Sequence, residues 1–173
     1  SEEKLLPLYS KLDYLKSKRS KLLKKKFDAQ WWFDRMRSIQ NKIHKTQNKI
    51  NDLIDDLHHK VCYDLVSNYD HIMVPQFEVS NMVNKKNRKL NKRTVREMIH
   101  LSFFKFKQRL KWYCLKYGKN FIETTEEYTS KTKSWNGVID NKLGSKKIIK
   151  DDKISVDRDI NGARVIFFLT LTR

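Results

Sequence analysis

The sequence predicts a helix-rich α+β protein: a long antiparallel helical hairpin, then strands and helices in alternation around an incomplete sheet. Leu5, Leu8, Leu12, Leu15 and Leu22 follow spacings of three and four with Arg19 breaking the seam, which predicts an amphipathic helix over 3–26. Met36, Ile39, Ile43, Thr46, Ile50, Leu53, Leu57 and Val61 form a cleaner heptad stripe and predict a second helix over about 30–68. The apolar run His71–Val74, by contrast, is short and ends at Pro75, as a buried strand does.

Each element follows in order. The short link Lys26–Gln30 and the cluster Trp31-Trp32-Phe33 predict that the two helices fold back with aromatics capping the bend; a plain coiled-coil dimer is the alternative. Residues 85–93 hold six basic side chains in nine and predict a basic loop. Over Thr94–Tyr117 the pattern returns to one helix, with Thr94 as N-cap, Glu97 as its capping-box partner and Gly118 as C-cap. Phe121–Thr125 predicts a second strand, ending at Glu126-Glu127. Residues 133–156 carry few regular cues, and the last segment is expected to begin as a helix. The predicted divisions are thus 1–70, 71–132, 133–156 and 157–173.

Composition narrows the function. The 173 residues are 39% apolar and 12% aromatic, enough for a core. The formal charge of +18 makes a polyanion the leading partner class, nucleic acid first and an anionic membrane surface second. No stretch approaches the roughly 20 apolar residues of a spanning helix, and the charged start, Ser1-Glu2-Glu3-Lys4, is unlike a signal peptide. Cys62 and Cys114 lie far apart without CxxC spacing, so both are expected to be buried thiols in an intracellular, reducing compartment. His44, His58, His59, His71 and His100 are expected to be surface or packing residues.

The end of the chain carries the chemistry. Asp157-Arg158-Asp159-Ile160-Asn161-Gly162-Ala163-Arg164 places an acidic pair ahead of a small-residue turn into an apolar segment, Val165–Leu169, as a metal-dependent nuclease requires. Helix, strand, helix, strand, helix with carboxylates at strand ends also suits the second half of an RNase H-like (RuvC-type) fold. There, acids from separate elements hold two metals about 4 Å apart that activate water and stabilise the leaving oxygen.

Together with the upstream Tyr128-Thr129-Ser130-Lys131-Thr132, this DRDxNGAR segment resembles the C-terminal half of TnpB (OrfB) transposon nucleases, and is most similar to their eukaryotic and giant-virus Fanzor relatives. The resemblance implies that Asp159 binds metal, that Glu126 supplies the second carboxylate ahead of Glu127 and Asp157, and that the ion is Mg²⁺. Where TnpB proteins read VEDL this chain has Val74-Pro75-Gln76-Phe77, so Pro75 and Gln76 stand in place of acids. The family's first Asp, on a leading strand, has no counterpart among Asp13, Asp28 and Asp34. The chain is therefore expected to be a C-terminal fragment that does not cleave alone and needs the missing N-terminal half. The family's paired CxxCG knuckles are also altered: Lys133 and Asn136 fill cysteine positions beside Gly137, and Lys150-Asp151-Asp152-Lys153 has no cysteine. No zinc is expected.

The basic clusters complete the expectation. Lys16, Lys18, Arg19, Lys21, Lys24, Lys25 and Lys26 crowd the first helix, and Lys85, Lys86, Arg88, Lys89, Lys92 and Arg93 the loop. With Lys131, Arg158 and Arg164 they would track phosphates, with DNA and guide RNA, as an RNA–DNA hybrid, the implied partners. Their alternative is a solvated face. Three functional readings stand: an RNA-guided endonuclease or transposase fragment, a catalytically decayed nucleic-acid-binding remnant, and a coiled-coil scaffold. The implied compartment is the nucleus or a viral replication compartment for a eukaryotic or viral source, and the cytoplasm for a bacterial one.

Overall fold

Two helices open the chain, α1 (Glu2–Lys24) and α2 (Gln30–Asn68). In the computed structural model, residues 2–25, 30–76, 79–84, 90–124, 129, 131–140, 143, 147–151 and 154–171 are described. They form two compact units that divide between Tyr63 and Asp64, within α2.

The first unit is the predicted hairpin. Tyr9, Leu12 and Leu15 of α1 are buried with Ile39, Ile43, Ile50 and Ile54 of α2 in one core. Near the bend, the Trp32 indole N–H donates to the Leu22 carbonyl at 3.2 Å, and further along Arg19 donates to Gln40 at 2.9 Å, an antiparallel order. Arg19 thus breaks the apolar seam by forming a polar bridge across it. Two expectations are corrected. Of the aromatic cluster only Trp32 turns inward, while Trp31 and Phe33 are exposed. Beyond Ile50 the buried row runs Ile54, His58, Cys62, with Val61 exposed, instead of Leu53, Leu57, Val61. A straight helix at 3.6 residues per turn drifts off a seven-residue repeat, so the seam passes to the next column of side chains.

In the second unit, β1 (His71–Pro75) and β2 (Asn120–Thr124) pair in parallel, His71 opposite Asn120 and Pro75 opposite Thr124. The Gln76 N–H extends the ladder to the Thr124 carbonyl at 2.8 Å. Parallel strands need a long crossover, here α3 (Val79–Val83), α4 (Lys92–Leu101) and α5 (Phe103–Tyr117). The single helix expected over Thr94–Tyr117 is therefore two. Ser102, at φ 47°, breaks it in the left-handed region, and its N–H closes α4 on the Ile99 carbonyl. The N-cap is Asn91, whose side chain accepts from the Thr94 N–H at 2.9 Å, and Glu97 pairs with Arg93 at 2.9 Å. Lys92 and Arg93 consequently belong to α4. Gly118, at φ 64°, closes α5 as expected.

Leu110 and Cys114 are the buried residues of α5, and Lys107 pairs with Glu123 of β2 at 2.7 Å. Cys62 and Cys114 are both buried, as expected, and burial pushes the Cys114 thiol pKa up. At the start of the strand pair, Lys119 meets Asp70 at 2.6 Å and the Asn120 N–H donates to the Asp70 carbonyl. The Lys119 ammonium holds the Asp70 carboxyl below its ordinary 3.8. A depressed folded-state value gives stability that is present above the ordinary value and lost as pH falls through the folded one. Because Asp70 is exposed, the effect should be small and screened by salt. Urea midpoints measured from neutral pH to below about pH 4 should show that acid-side loss in wild type and its reduction in Asp70→Asn.

The region 133–156, which carries few regular cues in sequence and by the resemblance matches a zinc-ribbon region without its cysteines, contributes to two small hairpins. Thr132 and Ile139 bridge around a tight loop closed by Gly137 at φ 71°, and β3 (Ile148–Asp151) pairs antiparallel with β4 (Ile154–Asp157). The last helix, α6 (Arg158–Leu171), starts directly after β4 and packs on β1. Gly162 and Ala163 lie inside α6 and form no bend. Of its apolar residues, Val165 is buried, but Phe167, Phe168 and Leu171 are exposed. A Cβ on Gly162 would meet nothing within 4 Å. Gly162→Ala should therefore stabilise the fold by about 0.4–1 kcal/mol, read as a higher urea midpoint.

Candidate functional site

The junction of β4 and α6 is built from consecutive residues. The Asp157 carboxylate accepts from the Asp159 N–H at 2.8 Å, which satisfies one of the open donors of the first helical turn. Arg158 donates from Nε and an Nη to one Asp159 carboxylate oxygen at 3.3 and 3.2 Å. The Arg158 N–H is bound to the Lys147 carbonyl, so the turn is anchored to the start of the hairpin. Asp159 projects from this turn with its side chain 84% exposed. The two acids therefore play different parts. Asp157 caps the helix, while Asp159 offers hard carboxylate oxygens of the type Mg²⁺ prefers.

The sequence pattern assigns Asn161 no structural part, yet it is fully buried. Its Nδ2 donates to the Thr132 carbonyl at 2.8 Å and its Oδ1 accepts from the Ser134 N–H at 2.8 Å. One amide thus ties α6 to the N-terminal arm of the Thr132–Ile139 loop. The available signal is an Asn in the first turns of an apolar helix, where its low propensity calls for a compensating partner.

By the resemblance drawn from the sequence, this loop falls where the family carries its first CxxCG knuckle. Lys133 reaches Asp151 of β3 at 2.9 Å and lies 5.9 Å from the Trp135 ring centroid. Loop closure comes from backbone bonds, Lys133 N–H to the Val138 carbonyl and Gly137 N–H to the Lys133 carbonyl, both at 2.9 Å. An ammonium paired with a carboxylate links the two hairpins at a place where thiolates would be required for zinc. These residues do not fit that metal.

The remaining expected site residues are distributed as follows. Glu126, Glu127, Lys26, Lys85, Lys86, Arg88 and Lys89 lie outside the described residues. β2, the strand that leads to Glu126, ends level with β1, so Pro75 and Thr124 close the same edge. Among the described residues no group of three or more His, Cys, Asp or Glu is placed to hold a metal. Lys16, Lys21 and Lys24 are exposed on α1 and Lys25 just past its end, with Lys18 stacked 5.7 Å from the Tyr14 centroid. Lys131 and Arg164 are exposed in the second unit. No described helix is long and apolar enough to cross a membrane.

The chain is similar to known proteins in sequence and in fold. Residues 103–166 match the family model of the Cas12f1-like TNB domain, a span covering α5, β2, both small hairpins and the first turns of α6. The TnpB-like proteins L79 and L770 of Acanthamoeba polyphaga mimivirus are each 31% identical over 134 residues, covering 76% of this chain and 26% of theirs. A transposase-type protein of Paramecium bursaria Chlorella virus 1, A625R, is 32% identical over 139 residues, covering 80% of this chain and 31% of its own length. The chain thus spans about a quarter to a third of the relatives it matches. In fold it is similar to a chain of the Cas12f1–sgRNA–target DNA complex, with a TM-score of 0.57 at 19% identity over 96% of this chain and 42% of that one. Matching sequence and matching fold converge on one assignment: this chain is a TnpB-like C-terminal region.

Proposed function

We propose that this chain is the RuvC-like, RNase H-type portion of an RNA-guided DNA endonuclease of the Fanzor kind, and that it works with a preceding segment supplying the first catalytic Asp. The observation that carries the reading is Asp159 itself, an exposed carboxylate fixed in the first turn of α6 by Asp157 and Arg158. Its support is the TnpB-like sequence match together with a structural neighbour solved as an sgRNA–target DNA complex.

Asp159 and Glu126 would hold Mg²⁺, with Glu127 and Asp157 as less favoured ligands. When bound, the ion would supply charge stabilisation and an activated water for phosphodiester hydrolysis. The chain's own residues prepare that site. Asp157 orders the turn, Arg158 orients the Asp159 carboxylate and sits beside the position of the phosphate, and Asn161 fixes the helix to the Thr132–Ile139 loop. The ribbon region works without zinc, the Lys133–Asp151 pair serving as its cross-link. The exposed cations of α1, and separately Lys131 and Arg164 in the second unit, would contact the backbone of an RNA–DNA hybrid, leaving sequence reading to base pairing. The compartment is the nucleus or a viral replication site.

Cleavage of guide-matched DNA by the complete protein, with and without Mg²⁺, tests the enzyme reading. A second reading is favoured by Gln76, whose amide stands where, by the resemblance, bacterial TnpB proteins carry an acid: the chain binds nucleic acid without cutting it. That reading predicts no cleavage under any divalent ion. Both readings require binding whose log affinity falls with log salt at about −0.9 per duplex phosphate neutralised. Salt-independent binding contradicts both.

A further inference from the structure

A surface helix normally sets a polar face against its buried one, and α5 does not. Leu110 and Cys114 lie on its buried side. On the opposite side Phe104, Gln108, Lys111, Trp112 and Leu115 follow one another at helical spacing, and all are exposed. Phe104 is 69%, Trp112 53% and Leu115 82% exposed. Lys105 and Lys116 border this row, Lys111 lies within it, and α5 contains no acidic residue. Lys116 lies over the Trp112 ring, 5.1 Å from its centroid, and over the Tyr117 ring at 5.5 Å, which sets an ammonium against one face of each. Flat aromatic faces alternating with lysines, without a carboxylate, are complementary to a polyanion that carries stackable rings.

We propose that this face of α5 binds single-stranded nucleic acid, with bases stacking on Trp112 and Phe104 and phosphates meeting Lys105, Lys111 and Lys116. The proposal rests on the nucleic-acid reading above and adds to it a surface separate from the Asp159 turn and the α1 lysines. A single strand is favoured over a duplex because a duplex keeps its base faces stacked, whereas an open strand presents a π-face at every nucleotide.

Fluorescence anisotropy of the 173-residue chain with a short labelled single strand, and with a duplex of equal length, tests it. Phe104→Ala with Trp112→Ala should weaken single-strand binding at least about tenfold and alter duplex binding less than about twofold. Trp112→Phe should retain most of the affinity and Trp112→Leu should lose it, although both leave the exposed helix intact by circular dichroism. Lys105, Lys111 and Lys116 changed together to Gln should lower the single-strand salt slope by about 2. Wild-type affinity in the Phe104/Trp112 variant overturns the stacking surface. If Lys16, Lys18, Lys21 and Lys24 changed to Gln still weaken binding, the broader reading survives that failure. Equal losses on single strand and duplex, or an effect confined to protein–protein association, also overturn the proposal. If the unaltered chain binds neither probe, the broader reading falls with it.

Discussion

Asp159→Ala should abolish Mg²⁺-dependent cleavage by the complete protein, reducing the rate about 10³-fold or more, because metal-borne charge stabilisation contributes several kcal/mol. Guide and target affinity should stay within about twofold, since one exposed carboxylate contributes nothing to a salt-dependent phosphate interface. Asp159→Asn separates charge from shape. The amide oxygen can still accept from Arg158, which donates to one carboxylate oxygen at 3.2–3.3 Å, yet the negative charge beside the ion is gone. The two variants should therefore be equally inactive. Glu126→Ala should match them, whereas Asp157→Ala removes a helix cap and should cost about 1 kcal/mol of stability. If both Asp159 variants cut at the wild-type rate, the site assignment is wrong.

Asn161→Ala should destabilise the second unit by about 1–3 kcal/mol, because it strands two part-buried backbone groups at once. The Ser134 N–H loses its Asn161 acceptor and the Thr132 carbonyl its Asn161 donor. Asn161→Asp should do no better. It preserves the acceptor facing Ser134 but sets a carboxylate oxygen against the Thr132 carbonyl, replacing a donor by a like partial charge. Chemical denaturation monitored by tryptophan fluorescence should show a lower midpoint with the slope little changed. A midpoint equal to wild type would mean that the amide does not hold the loop to α6.

How much of this was legible depends on the range of the interaction. The helical hairpin was legible because its signal is periodic and local, and Leu12, Leu15, Ile39, Ile43 and Ile50 are buried as the spacing requires. Its far end was not, since which column faces inward after Ile50 depends on accumulated helical drift that a heptad count ignores. The two strands flanking the crossover were readable from short apolar runs before Pro75 and after Gly118. The break at Ser102 left no sequence mark, because serine is an uncommon residue for the left-handed region and the apolar pattern continues through it. The β3–β4 hairpin escaped for the opposite reason: its four-residue strands carry Lys150, Asp151, Ser155 and Asp157 and show little alternation to read. At the site, the acidic pair was visible in the sequence, whereas the separate parts played by Asp157 and Asp159 emerge only from hydrogen bonds. Asn161 needed partners 27 and 29 residues away, and no local pattern specifies such partners.

The central claim is that Asp159 and Glu126 share a divalent ion. Anomalous diffraction from crystals of the complete protein with guide, target and Mn²⁺ tests it most directly. A metal peak is expected about 2.0–2.5 Å from a carboxylate oxygen of each residue. A peak ligated by other residues, or coordinates that hold these two side chains too far apart to contact a common ion, would contradict it.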